Sequence, residues 1–396
     1  MATTQEAPRP EVHTAPRGLF GRRRLSEEEK REAFFTATQW RLMWLKFRGH
    51  RWALWGLLVI SIFYFVAIFA GFFATNDPVT RRPEYQYLPP SILGKARSFS
   101  LFDEAGNFRP VVYPVRTKLN LQTFEQDIFP DLENERPLRL FARGDPYTLF
   151  FVIDSDIHLF GSVDPEVRWF PLGTDGSGRC LYSRMVHGAT LSLSIGILAI
   201  AISWVLGVLI GGISGYFGGI VDNVIQRIIE VLMSFPTLPL WIALSAALPL
   251  EWTVIQVYFA ITVILSVLGW TGLARVVRSK LLAVREEEFV LAATLDGCRR
   301  PRLVARHMLP AFASHLIVVA SNQVPGMILG ETALSFIGVG LRAPAVSWGV
   351  LLKEAQNVQS VALRPWLLLP ALLVVFTVIA FQFLGDGMRD AMDPYR

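Results

Sequence analysis

Six apolar runs divide this chain, at residues 52–74, 190–212, 225–248, 254–273, 312–339 and 366–385. A helix needs about 20 apolar residues to cross a bilayer core, so each run predicts a membrane-spanning helix and the fold class is an all-α polytopic membrane protein. The pattern changes between the first and second runs. Residues 76–185 are polar with mixed charge, carry turn pairs at Pro89-Pro90, Ala105-Gly106 and Gly144-Asp145, and contain β-prone stretches at 111–115 and 147–153. These features predict a small folded cap with strands outside the membrane. Ahead of the first run, residues 1–25 read as a polar tail. Ser26 with Glu29 has capping-box spacing, and Trp40, Met43, Trp44 and Phe47 form one stripe beside Arg41, Lys46 and Arg48, the pattern of an interfacial helix. The expected division is 1–51 tail and interfacial helix, 52–74 first span, 75–187 insert and 188–396 a five-helix core.

Charge orients these elements. The N-terminal segment and the loop 275–306 are both basic, which predicts that both face the cytoplasm. Six spans satisfy both placements and return the C-terminus to the same side. The insert is longer than the loops to which the charge rule applies, so its arginines do not prevent export to the periplasm. Apolar residues make up 52% of the chain and charged residues 18%, too apolar for a soluble domain of this size. The net charge of +5 suits basic cytoplasmic edges and gives no reason to invoke nucleic acid. The two cysteines, Cys180 and Cys298, are expected on opposite sides of the membrane. No metal-ligand spacing, GxxxxGK[ST] phosphate loop or hydrolase motif occurs, so no catalytic residue, metal or cofactor is expected on this chain.

Polar and small residues within the spans are the next signal. Gly207, Gly211, Gly215 and Gly219 recur every four residues, the spacing that lets helices cross closely in lipid. Pro236 and Pro239 predict a kink in the third span. Arg227 and Glu230 can pair at i, i+3. The fifth span carries Asn322, Gln323, Pro325 and Glu331. Polar groups at membrane depth either line a path or tie helices together. Pro236, Pro239, Asn322, Gln323 and Glu331 are therefore candidates for a translocation path.

The stretch 288–310 reads EFVLAATLDGCRRPRLVARHMLP, basic and amphipathic between apolar spans. Phe289, Ala292 and Ala293 share a helical face with little bulk, and Gly297 permits a left-handed turn. Arg299, Arg300, Arg302 and Arg306 follow, and Pro310 precedes the next span. A short helix, a glycine turn and a basic second helix form a docking lever. The stretch resembles the EAA loop of permease subunits in bacterial ABC importers, matching at Ala292, Ala293, Gly297, Arg306-His307 and Leu309-Pro310. Leu291 stands where that motif has Glu, and Asp296 where an apolar residue is usual.

Three further stretches resemble the C-type dipeptide/oligopeptide/nickel branch of these permeases. PLGTDGSGRCLYSRMVHGATLSLSIG begins at Pro171, with Cys180 in place of the branch's acid. GETALSFIGVG begins at Gly330, and LGDGMRDAMDP at Leu384. The resemblance implies a type I ABC importer arrangement in the bacterial inner membrane, with the coupling helix within 286–310. Glu288, Phe289, Ala292, Ala293, Gly297, Arg306, His307 and Pro310 would contact the ATPase. It also implies a second homologous permease, two ATPase subunits carrying ATP and Mg, a periplasmic solute-binding protein, and peptides or related small solutes as substrate. The alternatives fit less well. A secondary transporter needs coupling-ion residues and often an internal repeat, and a receptor with a sensing insert does not account for six spans and a basic lever.

Overall fold

The computed structural model describes residues 39–92, 98–102, 107–119, 126–149, 152–164 and 167–392. The expected tail, the Ser26/Glu29 cap and the Ala105-Gly106 turn lie outside these residues.

The stripe with Met43, Trp44 and Phe47 forms helix α1 (Gln39–Gly49), which packs through buried Phe47 against Ala53 and Ala391. His50 caps the next helix by accepting from the Ala53 N–H. The first span is α2 (Arg51–Ile68), continued by the single turn α3 (Ala70–Phe73).

The insert folds as a β cap. Strands β1 (Phe99–Phe102), β2 (Phe108–Val112), β5 (Arg136–Leu149) and β6 (Ile153–Ser162) form an antiparallel sheet in the order β1-β2-β5-β6. Strands β3 (Val115–Leu119) and β4 (Gln126–Pro130) form a separate hairpin. The expected turn at Gly144-Asp145 is instead an irregularity inside β5, where the register against β6 shifts between Arg143 and Tyr147. The cap rests on the first span, with the Tyr147 ring directly over Gly71.

Helix α4 (Leu181–Phe217) begins before the expected insert boundary at residue 187. Gly207, Gly211 and Gly215 lie along a later long helix at its residues Leu273, Ala274 and Arg278. A Cβ on Gly211 would stand 2.4 Å from the Ala274 carbonyl oxygen, so the stripe packs within the subunit. Gly219 does not belong to it. The chain turns through Gly218 and Gly219, at φ 65° and 55°, into α5 (Gly219–Ser234).

Instead of one kinked third span, α5 stops and α6 (Thr237–Ala246) leaves it at 83°. Pro236 occupies the N-cap of α6 and Pro239 its first turn, where a missing N–H breaks no helical bond. A Thr253–Gln256 capping box opens α7 (Val254–Val284). The loop holds α8 (Glu288–Leu295) and α9 (Arg300–Ala311), and α9 meets α10 (Ala313–Ile337) at 71°. Helices α11 (Trp348–Lys353), α12 (Val358–Leu363) and α13 (Leu369–Met392) complete the chain. Among the described residues four helices are long and apolar enough to cross a membrane, and counting each bent pair as one span brings the number to six. The main core joins α2, α4, α7, α10, α11 and α13.

Candidate coupling and translocation site

At one end of the bundle, a second core cluster anchors the lever. Leu273, Val277 and Leu281 of α7 are buried with Val290 of α8, Leu303 and Met308 of α9, and Phe312 and Leu316 beyond them. Helix α8 has an apolar residue at nearly every position, so sequence alone does not tell its inner face from its outer. Val290 and Ala293, at i and i+3, turn inward. Phe289 and Leu291 are about half exposed, Leu295 is 89% exposed, and Ala292 is also exposed. The expected face of Phe289, Ala292 and Ala293 is therefore corrected: Ala293 packs on the chain's own core, and Leu291 and Leu295 join Phe289 and Ala292 outside. Both leucines were missed because their spacing fits either face.

The glycine turn is as expected. Gly297 has φ 76° and nothing within 4 Å of the position its Cβ would take. Its N–H bonds the Thr294 carbonyl and the Cys298 N–H bonds the Ala293 carbonyl, each at 3.1 Å. These two bonds form a Schellman C-cap, with Asp296 at the C-cap position. Cys298 then packs beside Ala293. In α9, residues Leu303–Met308 take π-helical geometry just before Pro310, whose ring nitrogen has no proton to give the α-helical ladder. Arg299, Arg300, Arg302 and Arg306 are exposed and form no ion pair among the described residues. His307 is half-buried, and Pro310 and Glu288 are exposed. A partly buried ion pair not expected from the sequence braces this end: Arg278 of α7 donates to both carboxylate oxygens of Asp222 at 2.5 Å, and the Ser214 hydroxyl donates to the same acid. The expected Arg227–Glu230 pair forms at the exposed surface, at 2.9 Å.

The path candidates do not converge. Gln323 lines a crevice of about 360 Å³ with Leu232, Phe235, Trp241 and Met327, directly below the α5–α6 bend. The Gln323 Oε1 and Trp241 Nε1 are buried there without a hydrogen-bond partner among the described residues. Pro236 and Pro239 shape the bend without lining the crevice. Asn322 turns to Gly385 of α13. Glu331 is fully buried, accepting from Ser335 at 2.8 Å and from Ser192 of α4 at 3.1 Å. Ser192 in turn accepts from the Trp348 N–H. Glu331 is thus a tie between α4, α10 and the start of α11, a correction to its expected place on an aqueous path.

The GTD…GR…SR stretch closes the opposite end. Asp175 accepts from Arg179 at 2.7 Å and from Arg184. Glu354, after α11, accepts from Arg179 at 3.0 Å and from the Gly176 N–H at 3.2 Å. Arg184 is 1% exposed. Cys180, standing in place of an acid, is buried at the N-cap of α4, and Glu354 supplies the second carboxylate. The Trp366 indole donates to the Thr174 carbonyl and the Trp348 indole to the Met185 carbonyl. No sequence spacing points to Glu354, which is 170 residues from Arg184.

Two family profiles match the chain: the binding-protein-dependent transport system inner membrane component over residues 207–395, and the N-terminal TM domain of oligopeptide transport permease C over residues 38–90. The oligopeptide transport system permease protein OppC of Haemophilus influenzae is 38% identical over 242 residues, which cover 61% of this chain and 75% of that protein. The dipeptide transport system permease protein DppC of Bacillus subtilis is 38% identical, covering 57% and 68% respectively. OppC of Escherichia coli K12 is 39% identical, covering 61% and 78%.

Proposed function

The chain belongs to the binding-protein-dependent transport system inner membrane components, on their C-type oligopeptide and dipeptide permease branch, and from this premise we propose that it forms half of a two-permease pore for peptide uptake. Its relatives are named permease proteins, so the chain is a transport component rather than an enzyme. On this reading the complex has the type I ABC importer arrangement. Two ATPase subunits supply ATP hydrolysis with Mg on the lever side, taken as the cytoplasm of a bacterial cell. A solute-binding protein delivers substrate on the cap side, taken as the periplasm.

One observation carries the coupling role. Helix α8 exposes Phe289, Leu291, Ala292 and Leu295 while Val290 and Ala293 key it into the cluster on α7, α9 and α10. An apolar helical face fits a groove on a partner, and its inner side transmits a push to the spans as a rigid body. The crevice under the α5–α6 bend supports a path past Gln323, where the partnerless amide oxygen and the Trp241 indole are available to a passing polar group once the bend moves.

The test is co-purification of the ATPase with Leu295→Asp and Ala292→Trp permeases, followed by hydrolysis assays with liganded binding protein. We expect at least tenfold loss of stimulated hydrolysis with the permease yield unchanged. Normal co-purification and normal stimulation in both variants would remove the coupling assignment.

A further inference from the structure

The β5–β6 ribbon carries an apolar patch that the described chain leaves open. Phe141 is 64% exposed, Leu140 59% and Phe160 43%, and Leu140 stands opposite Phe160 in the ladder. Phe141 has φ 57°, just ahead of the register shift of β5 against β6 between Arg143 and Tyr147. A bulky residue at positive φ is a backbone outlier. Such a conformation, used to hold an aromatic ring outside, calls for a partner beyond the chain.

The position of the ring identifies that partner. The Phe141 centroid lies 6.1 Å from that of Phe72. Phe72 meets Phe73 at 5.4 Å, and Phe73 meets Phe65 at 5.8 Å. Phe65 is 54% exposed on α2, in line with exposed Leu58, Ile62 and Ile68. The patch therefore continues the outward stripe of a membrane-crossing helix. From Arg51 to Phe73 the helical rise is roughly 34 Å, slightly more than a hydrocarbon core of about 30 Å, so Phe72 and Phe141 stand at the level of the headgroups. Arg139 and Arg143 flank the ring in sequence. Arg139 is exposed and makes no ion pair among the described residues, and the Arg143 side chain is 83% exposed, 3.9 Å from Asp156.

We propose that the cap docks on the lipid surface at its own end of the membrane. Phe141 enters the boundary between acyl chains and headgroups, and Arg139 and Arg143 face lipid phosphates. Apolar burial combined with attraction to phosphate is the physics of an interfacial anchor.

Site-directed spin labelling of the full chain tests this. Phe141→Cys is made in a Cys298→Ser background, with Cys180 left in place because it is 1% exposed. The protein is held in nanodiscs of phosphatidylethanolamine and phosphatidylglycerol, and a label at Phe108→Cys, 73% exposed on β2, serves as the aqueous control. The expected result at 141 is an accessibility ratio of oxygen to a nickel chelate at least about threefold above the control. A ratio equal to the control overturns the proposal. So does a label shielded from both reagents, which would assign the patch to a protein partner. A second variant separates docking from folding. Phe141→Gly suits the observed φ, so the chain should fold while amide exchange in β5 and β6 rises severalfold in nanodiscs. Unchanged exchange in this variant also overturns the proposal.

Discussion

The two ends of the bundle are built on opposite principles. At the cap end, Asp175, Arg179, Arg184 and Glu354 form an ionic cluster, Trp348 and the Glu331–serine tie fasten two segments to α4, and Trp366 fastens a third to the Thr174 turn ahead of it. At the lever end, α8 is held by Val290, Ala293 and little else, its turn at Gly297 stands in open space, and four arginines face outward without ion pairs among the described residues. The charges of this cluster pair within the chain, although the buried Arg184 Nε has no partner among the described residues. At the lever end, apolar area and charge are left for a partner to satisfy. A mobile coupling element is drawn from the sparsely packed part of a fold, because only there does a modest interaction energy shift its position.

Substitutions that break this contrast rank by expected size. Arg184→Ala is the most damaging, since it leaves Asp175 buried with one partner lost; removal of one member of a buried ionic cluster costs about 3–5 kcal/mol. Loss of purified, folded permease is expected, and a normal melting temperature would show that the cap end is no tighter than the lever end. Gly211→Val comes next. Its side chain would meet the Ala274 backbone, and overpacking costs about 1–3 kcal/mol. Thermal unfolding in detergent should fall accordingly, with Gly212→Ala, which has open space, as the matched control.

Glu331→Ala should lower permease yield and substrate uptake in proportion, since it removes the acceptor of two buried hydroxyls at about 1–3 kcal/mol. Uptake falling while yield holds would restore Glu331 to the path. Gly297→Ala has a local cost of about 1–2 kcal/mol from its positive φ, with no steric clash. Coupled ATP hydrolysis should drop while the melting temperature of the bundle stays constant. A fall in both would show that the lever is part of the core. Gln323→Leu is the mildest for stability. It replaces a partnerless amide oxygen, so unfolding should be unchanged or slightly later while peptide uptake declines.

Local requirements were legible in the sequence. Six spans, with each bent pair as one, follow from the length of the apolar runs, and the turn at Gly297 from the need for a residue without Cβ at φ 76°; the cap has strands as expected, but the β-prone stretches 111–115 and 147–153 each run from the end of one strand to the start of the next. The packing of Gly207, Gly211 and Gly215 also follows from spacing, since close helix approach depends on what those positions lack. Tertiary structure decided which side of each element faces inward. It turned Ala293 into the core and Leu295 outward, ended the glycine stripe before Gly219, split the third span at Pro236, and set Glu331 among serines away from any path. It also brought Glu354 to Arg179 and Arg184. The physical reason is common to all of these: a residue's own chemistry sets the conformations it tolerates, whereas its burial and its partners are set by distant segments that share no periodicity with it.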